Sequence, residues 1–363
     1  MKSHLQIDLV RLPFLTPFTT SFGTETERNA LILRYTKGDV VAYSECVTSK
    51  DPLYSYEDNS TALHIIRRYL VKMMKDEPSP AEFTEKARRI RGHNMAKSAV
   101  EMLLWDLQSK LSGIPLYKAL GGSKGFAEVG ISIGMSSPER MASLVQDALA
   151  RGYRRIKVKI EKGREYEIIR TIRDRFPSIP LSADANSCYR LGDLQILKKL
   201  DNFNLVYLEQ PLQEDDILDH SRLAKELSTP ICLDESITSV ERARQAFEIG
   251  AAAVVNIKPG RLGGLTESLR VARLAMENGI HTWVGGMLET GIGRSFNVSL
   301  ASSSLVDYPG DTSPNDKYFA RDIVTNPFKM TDGMIKPNDG PGIGVQVDEP
   351  YLKTCTRRSW LLF

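Results

Sequence analysis

The sequence predicts an α/β fold, a (β/α)8-type barrel accompanied by a smaller α+β domain, and three observations carry that prediction. Lys159, Asp184, Glu209, Asp234 and Lys258 recur about 25 residues apart, the length of one strand, one helix and two loops. Each of the five closes a short apolar run, so the series marks the ends of consecutive strands in a parallel sheet. The chain has 363 residues, more than the roughly 250 of one barrel, which leaves material for a second domain.

Residues 1–122 read as that smaller domain. HLQIDLVRLPF is strand-like, TTSFGTETER is turn-rich, and ALILRYTKGDVVAYSECV carries a hairpin signal at KGD. Helical sequence follows through NMAKSAVEMLLWDLQSKL, and strands followed by helices read as α+β. Trp105 sits on the apolar stripe of that last helix and reads as core.

Residues 123–318 read as the barrel. Its strand signals are VGISIGM (129–135), RRIKVKI (154–160), PLSADAN (180–186), LVYLEQP (205–211), PICLDES (230–236), AAVVNIKP (252–259) and HTWVGGM (281–287), with a weaker run beyond residue 300. Short, apolar and rich in β-branched residues, they suit strands buried on both faces. Between them, stretches such as REYEIIRTIRDRF and VERARQAFEIG repeat apolar residues at spacings of three and four, with charges on the other face. A doubly wound open sheet is the alternative, and the number of strand signals favours the barrel.

The net charge of +3 arises from 48 basic and 45 acidic residues spread along the chain. No basic run supports a nucleic acid partner, and no apolar stretch approaches the ~18 residues of a membrane span. The opening MKSHLQIDLVRLPFL lacks the apolar core of a secretion signal, so a cytoplasmic location is expected. Cys46, Cys188, Cys232 and Cys355 show neither CxxC pairing nor a disulfide-framework spacing. GGSKG lacks the spacing of a phosphate-binding loop, and GIGR is not a dinucleotide fingerprint.

Ends of adjacent strands lie about 5 Å apart, so Asp184, Glu209 and Asp234 can converge on one ion. Without a counter-charge, three such anions repel in a partly desolvated mouth. Oxygen-only ligands on rigid strands suit a hard divalent cation, Mg²⁺, with Mn²⁺ as the alternative. Asn186, two residues after Asp184, shares its strand face and adds a polar contact. Glu235 adjoins Asp234 but points elsewhere by strand alternation, which gives it a supporting role.

With VGISIGM as the first strand, Lys159 ends the second and Lys258 the sixth, and these face each other across the mouth. A small-molecule carboxylate substrate would sit between two amines. Lys157, two residues before Lys159 and deeper on the same face, is expected to lower the Lys159 pKa toward the roughly 7 to 8 of lysine bases. Arg261 is expected to act similarly on Lys258. A metal beside two bases suits removal of a proton from carbon next to a carboxylate, where Mg²⁺ stabilises the developing enediolate.

Taken singly, these residues have bland readings: KxK is usually a solvated strand edge, and a lone Asp at a strand end usually caps the next helix. Their joint register, base then three ligands then base, favours the functional reading. A Schiff-base lysine, as in aldolases, is a different chemistry that leaves the three carboxylates unexplained.

KVKI, DAN, EQP, DES and NIKPGRLGG together resemble the enolase superfamily, in its muconate-lactonising subgroup. The mandelate racemase subgroup has a His after strand 7, and GGMLETGIGR has none. ECVTSKDPLYSYED, VGISIGM, GGMLETGIGRSFN and PGDTSPNDKYFARDIV are similar to the branch of o-succinylbenzoate synthases and N-acylamino acid racemases. The resemblance implies a modified TIM barrel with an α+β capping domain that residues 319–363 complete. It implies Asp184, Glu209 and Asp234 as metal ligands, Lys159 and Lys258 as the acid/base pair, and Lys157 and Asn186 as their support. It also implies substrate contacts from a loop around Phe18, Ser21 and Phe22 and from one around Pro52 and Tyr54. Ser132, Gly285, Gly286, Met287 and Glu289 complete the expected pocket, and a homo-oligomer is expected.

The reaction so implied is dehydration of 2-succinyl-6-hydroxy-2,4-cyclohexadiene-1-carboxylate to o-succinylbenzoate, a step of menaquinone biosynthesis. Racemisation of N-succinylamino acids is the alternative, since both reactions share the enediolate.

Overall fold

The computed structural model describes residues 3–20 and 23–363. The chain opens with an antiparallel meander, β1 (Ser3–Thr20), β2 (Gly23–Lys37) and β3 (Val40–Cys46). Helices α1 (Asn59–Ile65), α2 (Pro80–Ala87) and α3 (Asn94–Leu111) follow. Period-two alternation sends Leu31, Leu33 and Tyr35 of β2 into a core shared with α3, and Ala30 and Ile32 into the core shared with the barrel. The sheet is thus buried on both faces and ties the two parts together.

The barrel strands are β4 (Gly130–Ile133), β5 (Arg155–Lys159), β6 (Leu181–Asp184), β7 (Leu208–Glu209), β8 (Ile231–Leu233), β9 (Val254–Ile257) and β10 (His281–Val284). They pair in sequence order, all parallel, each at a place where the sequence carries a β-branched or apolar run. Helices α4 (Pro138–Ala150), α5 (Glu165–Arg175), α6 (Leu194–Leu200), α7 (Ile217–Glu226) and α8 (Val240–Glu248) alternate with them. Several begin at capping side chains: Ser137 accepts the Arg140 N–H, Asp216 that of Asp219 and Ser239 that of Arg242. After β9 come a single helical turn, α9 (Pro259–Leu262), and then α10 (Leu265–Glu277); α11 (Gly291–Ala301) follows β10.

The eighth position is filled by residues 307–311. Tyr308 N and Asp311 N donate to Thr282 O and Val284 O of β10 (3.0 and 2.9 Å), while Gly310 and Gly130 bond across to β4 (Gly130 N to Gly310 O, 2.7 Å). DYPGD has no apolar run because its Pro-Gly pair turns the chain, and this accounts for the weak eighth signal.

The chain ends with α12 (Glu349–Cys355) and β11 (Thr356–Leu361), which pairs antiparallel with β1 and extends the first sheet. The β1–β2 hairpin reaches over the barrel, its Thr19 lying against Gly134 just past β4. Among the described residues no helix is long and apolar enough to cross a membrane. The four cysteines are free thiols.

Candidate active site

On β5, alternation turns Arg155, Lys157 and Lys159 inward as a column of three cations, all buried. Lys159, at the top, donates to Asp184 Oδ2 (2.7 Å) and to Asn186 Oδ1 (2.6 Å). Lys157, below it, lies 3.3 Å from Asp184, 2.8 Å from Glu209 and 2.9 Å from Asp311. Its ammonium also sits 4.5 Å from the Trp283 ring centre. Burial opposes the charge on Lys157, but Asp311, Glu209 and Asp184 outweigh it and hold the amine well above the usual lysine range.

Across the mouth, Lys258 donates to Asp234 Oδ2 (2.7 Å) and to Tyr54 OH (3.1 Å). Arg261 bonds Asp234 Oδ1 and the Asn256 carbonyl, and its Nε donates to Ile237 O (2.8 Å). Burial lowers the Lys258 pKa, yet Asp234, Tyr54 and Glu235 outweigh burial and hold it above the ordinary value. Arg261 pulls in the expected, lowering direction but is outweighed, because the two cations share one carboxylate.

The carboxylates stand between these lysines. Asp184 and Glu209 are paired in register on β6 and β7, and Asp234 follows the end of β8. Burial raises the Glu209 carboxyl and Asp184 adds to the rise, to about 7, against the pull of Lys157. Against burial, Lys159 and Lys157 hold Asp184 down at about 2, and Lys258 and Arg261 hold Asp234 below the usual range. Asn256, two residues before Lys258 on β9, donates to Glu209 Oε1 (3.0 Å).

Among the described residues no three His, Cys, Asp or Glu side chains form a ready-made metal cage. Each strand-end acid is instead engaged by an ammonium or guanidinium. The donor chemistry nevertheless fits a hard divalent cation: three buried carboxylates on adjacent strand ends, with Glu209 Oε2 ion-paired to Lys157 but free of hydrogen bonds.

Residues 5–121 match the mandelate racemase / muconate lactonizing enzyme N-terminal domain, and residues 140–351 match the enolase C-terminal domain-like family. The chain belongs to the enolase superfamily, in its muconate-lactonizing subgroup. It is 42% identical to an o-succinylbenzoate synthase of Geobacillus kaustophilus over 98% of this chain and 94% of that one. It is 43% identical to an N-succinylamino acid racemase of Thermus thermophilus over 97% of this chain and 96% of that one. A crystal structure of an enolase-superfamily member from Listeria innocua superimposes with a TM-score of 0.95 at 36% identity, over 99% of this chain and 98% of that one.

In this member of the muconate-lactonizing subgroup, the loops reach the mouth unequally. Tyr54 touches Lys258, whereas Pro52 is exposed. Phe18 stands edge-on to Tyr318, ring centres 6.5 Å apart. Ser21 and Phe22 lie outside the described residues. Ser132 is level with Lys157 in the sheet, and its carbonyl accepts from Lys317 (2.9 Å). Met287 packs against the cap core. A Cβ on Gly285 would overlap Asn256 and come within 2.8 Å of Lys258 Cε, so the glycine makes room for the lysine.

One expectation needs correction. Glu235 does not turn away: alternation ends with β8 at Leu233, and the Glu235 side chain is buried, accepting from Asn186 Nδ2 (2.9 Å). Burial, then the charge on Asp234, raises its carboxyl to about 8. Glu289 is buried at the turn before α11. Its carboxylate takes the Met287 N–H and Asn297 Nδ2 (2.8 and 2.7 Å) and pairs with Arg294 (3.0 Å), which commits it to shaping the turn before α11.

Sequence reasoning missed Asn256 and Asp311. The signal for Asn256 was present, since it precedes Lys258 by the same two-residue step that relates Lys157 to Lys159. Asp311 lies within the PGDTSPNDKYFARDIV stretch, but no strand-like run contains it to place it beside Lys157.

Proposed function

We propose that this protein abstracts the proton α to a substrate carboxylate, and that its reaction is the dehydration yielding o-succinylbenzoate. The carrying observation is the opposed pair: Lys159 and Lys258 each sit 2.7 Å from an aspartate, on opposite sides of a mouth floored by Asp184, Glu209 and Asp234. The full-length similarity to o-succinylbenzoate synthases supports the choice of substrate. We read residues 1–122 and 319–363 as the cap and 123–318 as the catalytic barrel.

Asp184, Glu209 and Asp234 would hold Mg²⁺, which when bound supplies positive charge against the substrate carboxylate as the α-proton leaves. Lys159, released from Asp184 as the neutral amine, accepts the α-proton at Nζ and returns it to the departing hydroxide, which leaves as water. Lys258, kept charged by Asp234, stabilises the electron-rich intermediate from the other face. Asn186, bridging Lys159 and Glu235, fixes the direction of the amine. Tyr54 and the β1–β2 hairpin exclude water from above.

Loss of the absorbance of 2-succinyl-6-hydroxy-2,4-cyclohexadiene-1-carboxylate, with Mg²⁺ and with EDTA, tests this. Mg²⁺-dependent loss that disappears in Lys159→Ala is expected; a folded, metal-supplemented protein that leaves the substrate untouched sinks it.

A second activity, N-succinylamino acid racemisation, is favoured by the likeness of the two lysines, each buried and each held by one strand-end aspartate. In that reaction one lysine removes the α-proton and the other delivers a proton to the opposite face.

A further inference from the structure

The two lysines are held by different parts of the molecule. Lys159 takes its hydrogen-bond partners, Asp184 and Asn186, from the barrel alone. Lys258 is reached by Tyr54 of the cap, and the backbone that follows it is fastened to cap helix α3 at two points.

Asn94 and Glu101 are about two helical turns apart, which puts them on one face of α3. Asn94 Nδ2 donates to Arg261 O (2.8 Å) and to Thr238 O (3.0 Å), joining the turn after Lys258 to the loop after Asp234. Glu101 is fully buried and accepts the N–H groups of Leu265 (2.9 Å) and Thr266 (2.8 Å) at the start of α10. Between these grips lies Gly264 at φ +130°, where a Cβ would overlap the Glu101 carboxylate, so the backbone is pressed against α3. The helix is anchored in turn: Glu57, three residues after Tyr54, accepts from Met95 N and Ala96 N (2.8 and 3.0 Å). A closed ring results, running from Lys258 through Tyr54, Glu57, α3, Asn94, Arg261 and Asp234 back to Lys258.

We propose that Asn94 and Glu101 are positioning residues for Lys258, so that the cap sets the aim of one proton-transferring lysine while the barrel sets the other. The inference rests on the two-lysine reading above. Its consequence is stereochemical: loosening α3 from the turn impairs proton transfer on one face of the substrate carbon and spares the other. A residue with only a structural role would depress both faces together.

The test is α-proton exchange in D₂O, followed by NMR separately for the two enantiomers of N-succinylphenylalanine. Lys159→Ala and Lys258→Ala assign each enantiomer to its lysine. Asn94→Ala is expected to slow exchange from the Lys258 enantiomer by about tenfold or more relative to the other, in line with the cost of a small misplacement of a reacting group. Glu101→Gln shifts the ratio in the same direction if it folds; should it not, Asn94→Ala decides alone. Ser79→Ala, which removes the cap of α2, leaves the ratio as in wild type. An unchanged ratio in Asn94→Ala, whether both rates fall or neither does, overturns the inference alone. A wild type that exchanges neither enantiomer overturns the two-base reading itself, and this inference with it.

Discussion

Asp311 Oδ2 lies 2.9 Å from Lys157 Nζ, across the seam where the last barrel segment meets the first strands. The other Asp311 oxygen takes Arg155 Nη2 at 2.7 Å. One carboxylate thus closes the barrel and neutralises the lower part of the cation column whose top is Lys159. Burial disfavours its charge, but Lys157 and Arg155 outweigh burial and hold the carboxyl far below the usual range.

Asp311→Asn keeps the shape and removes the charge. Breaking a buried pair by neutralising one partner costs roughly 3–5 kcal/mol where nothing replaces it. Here Glu209 and Asp184 still face Lys157, so the expected loss is about 2–3 kcal/mol, read as a lower urea midpoint. Turnover should fall as well, because Lys157 would then draw Asp184 and Glu209 toward itself. An unaltered midpoint would show that the seam does not depend on this pair.

The metal-free protein should lose stability as pH rises from about 5 toward 8. Burial raises Glu101 to about 7, burial with Asp184 raises Glu209 to about 7, and burial with Asp234 raises Glu235 to about 8. The unfolded carboxyls titrate near 4.3. Each folded group holds its proton more tightly than the unfolded one, so its contribution is complete below about 4.3 and is lost as pH passes the folded value. Asp184, Asp234 and Asp311 are shifted the other way, and their contribution is lost on acidification. Melting temperatures in EDTA should therefore peak on the acidic side of neutrality. Added Mg²⁺ should raise them more at pH 8 than at pH 5.5, since protons compete for Glu209, and Glu209→Gln should abolish that increment. An increment independent of pH would remove Glu209 from the metal site.

Tyr54→Phe separates the hydroxyl from the ring. The hydroxyl bonds Lys258 (3.1 Å) and Arg261 (3.3 Å), while the ring itself lies 4.7 Å from the Lys258 ammonium. Loss of the hydroxyl should lower turnover several-fold with little change in melting temperature, because the packing remains. Tyr54→Ala should cost more, by opening the mouth to water. Equal activities in both variants would mean that the ring does not shield the site.

The barrel was legible because each strand–helix unit is local: an apolar run, a cap and an amphipathic helix lie within one short stretch. The five strand-end residues inherited that legibility, as the register of Asp184 with Glu209 illustrates. What could not be read depends on docking between distant segments. Glu101 looks like an ordinary helical glutamate until α10 is laid against it, and Asp311 like a loop residue until 307–311 fills the eighth position. Glu235 was misdirected for a different reason, since alternation was extended two residues past the end of β8.

Gly285→Ala should be an active-site lesion with a modest stability cost. The added methyl would meet Asn256 Oδ1 and approach Lys258 Cε to 2.8 Å, while the neighbouring backbone is pinned by the bond from Gly285 N to Ile257 O (2.9 Å). Overpacking of this kind typically costs about 1–3 kcal/mol, relieved when a side chain moves. Lys258 can yield through its flexible stem, whereas Asn256 is tied to Glu209. Asn256, the nearer group, must nevertheless shift, and the lysine is displaced with it; a shift near 1 Å at a reacting group lowers turnover by about a hundredfold. The expected pattern is a large fall in kcat, little change in KM, and a protein that still melts cooperatively. A fall in stability with kcat per folded molecule preserved would place the strain on Asn256 and Glu209 instead.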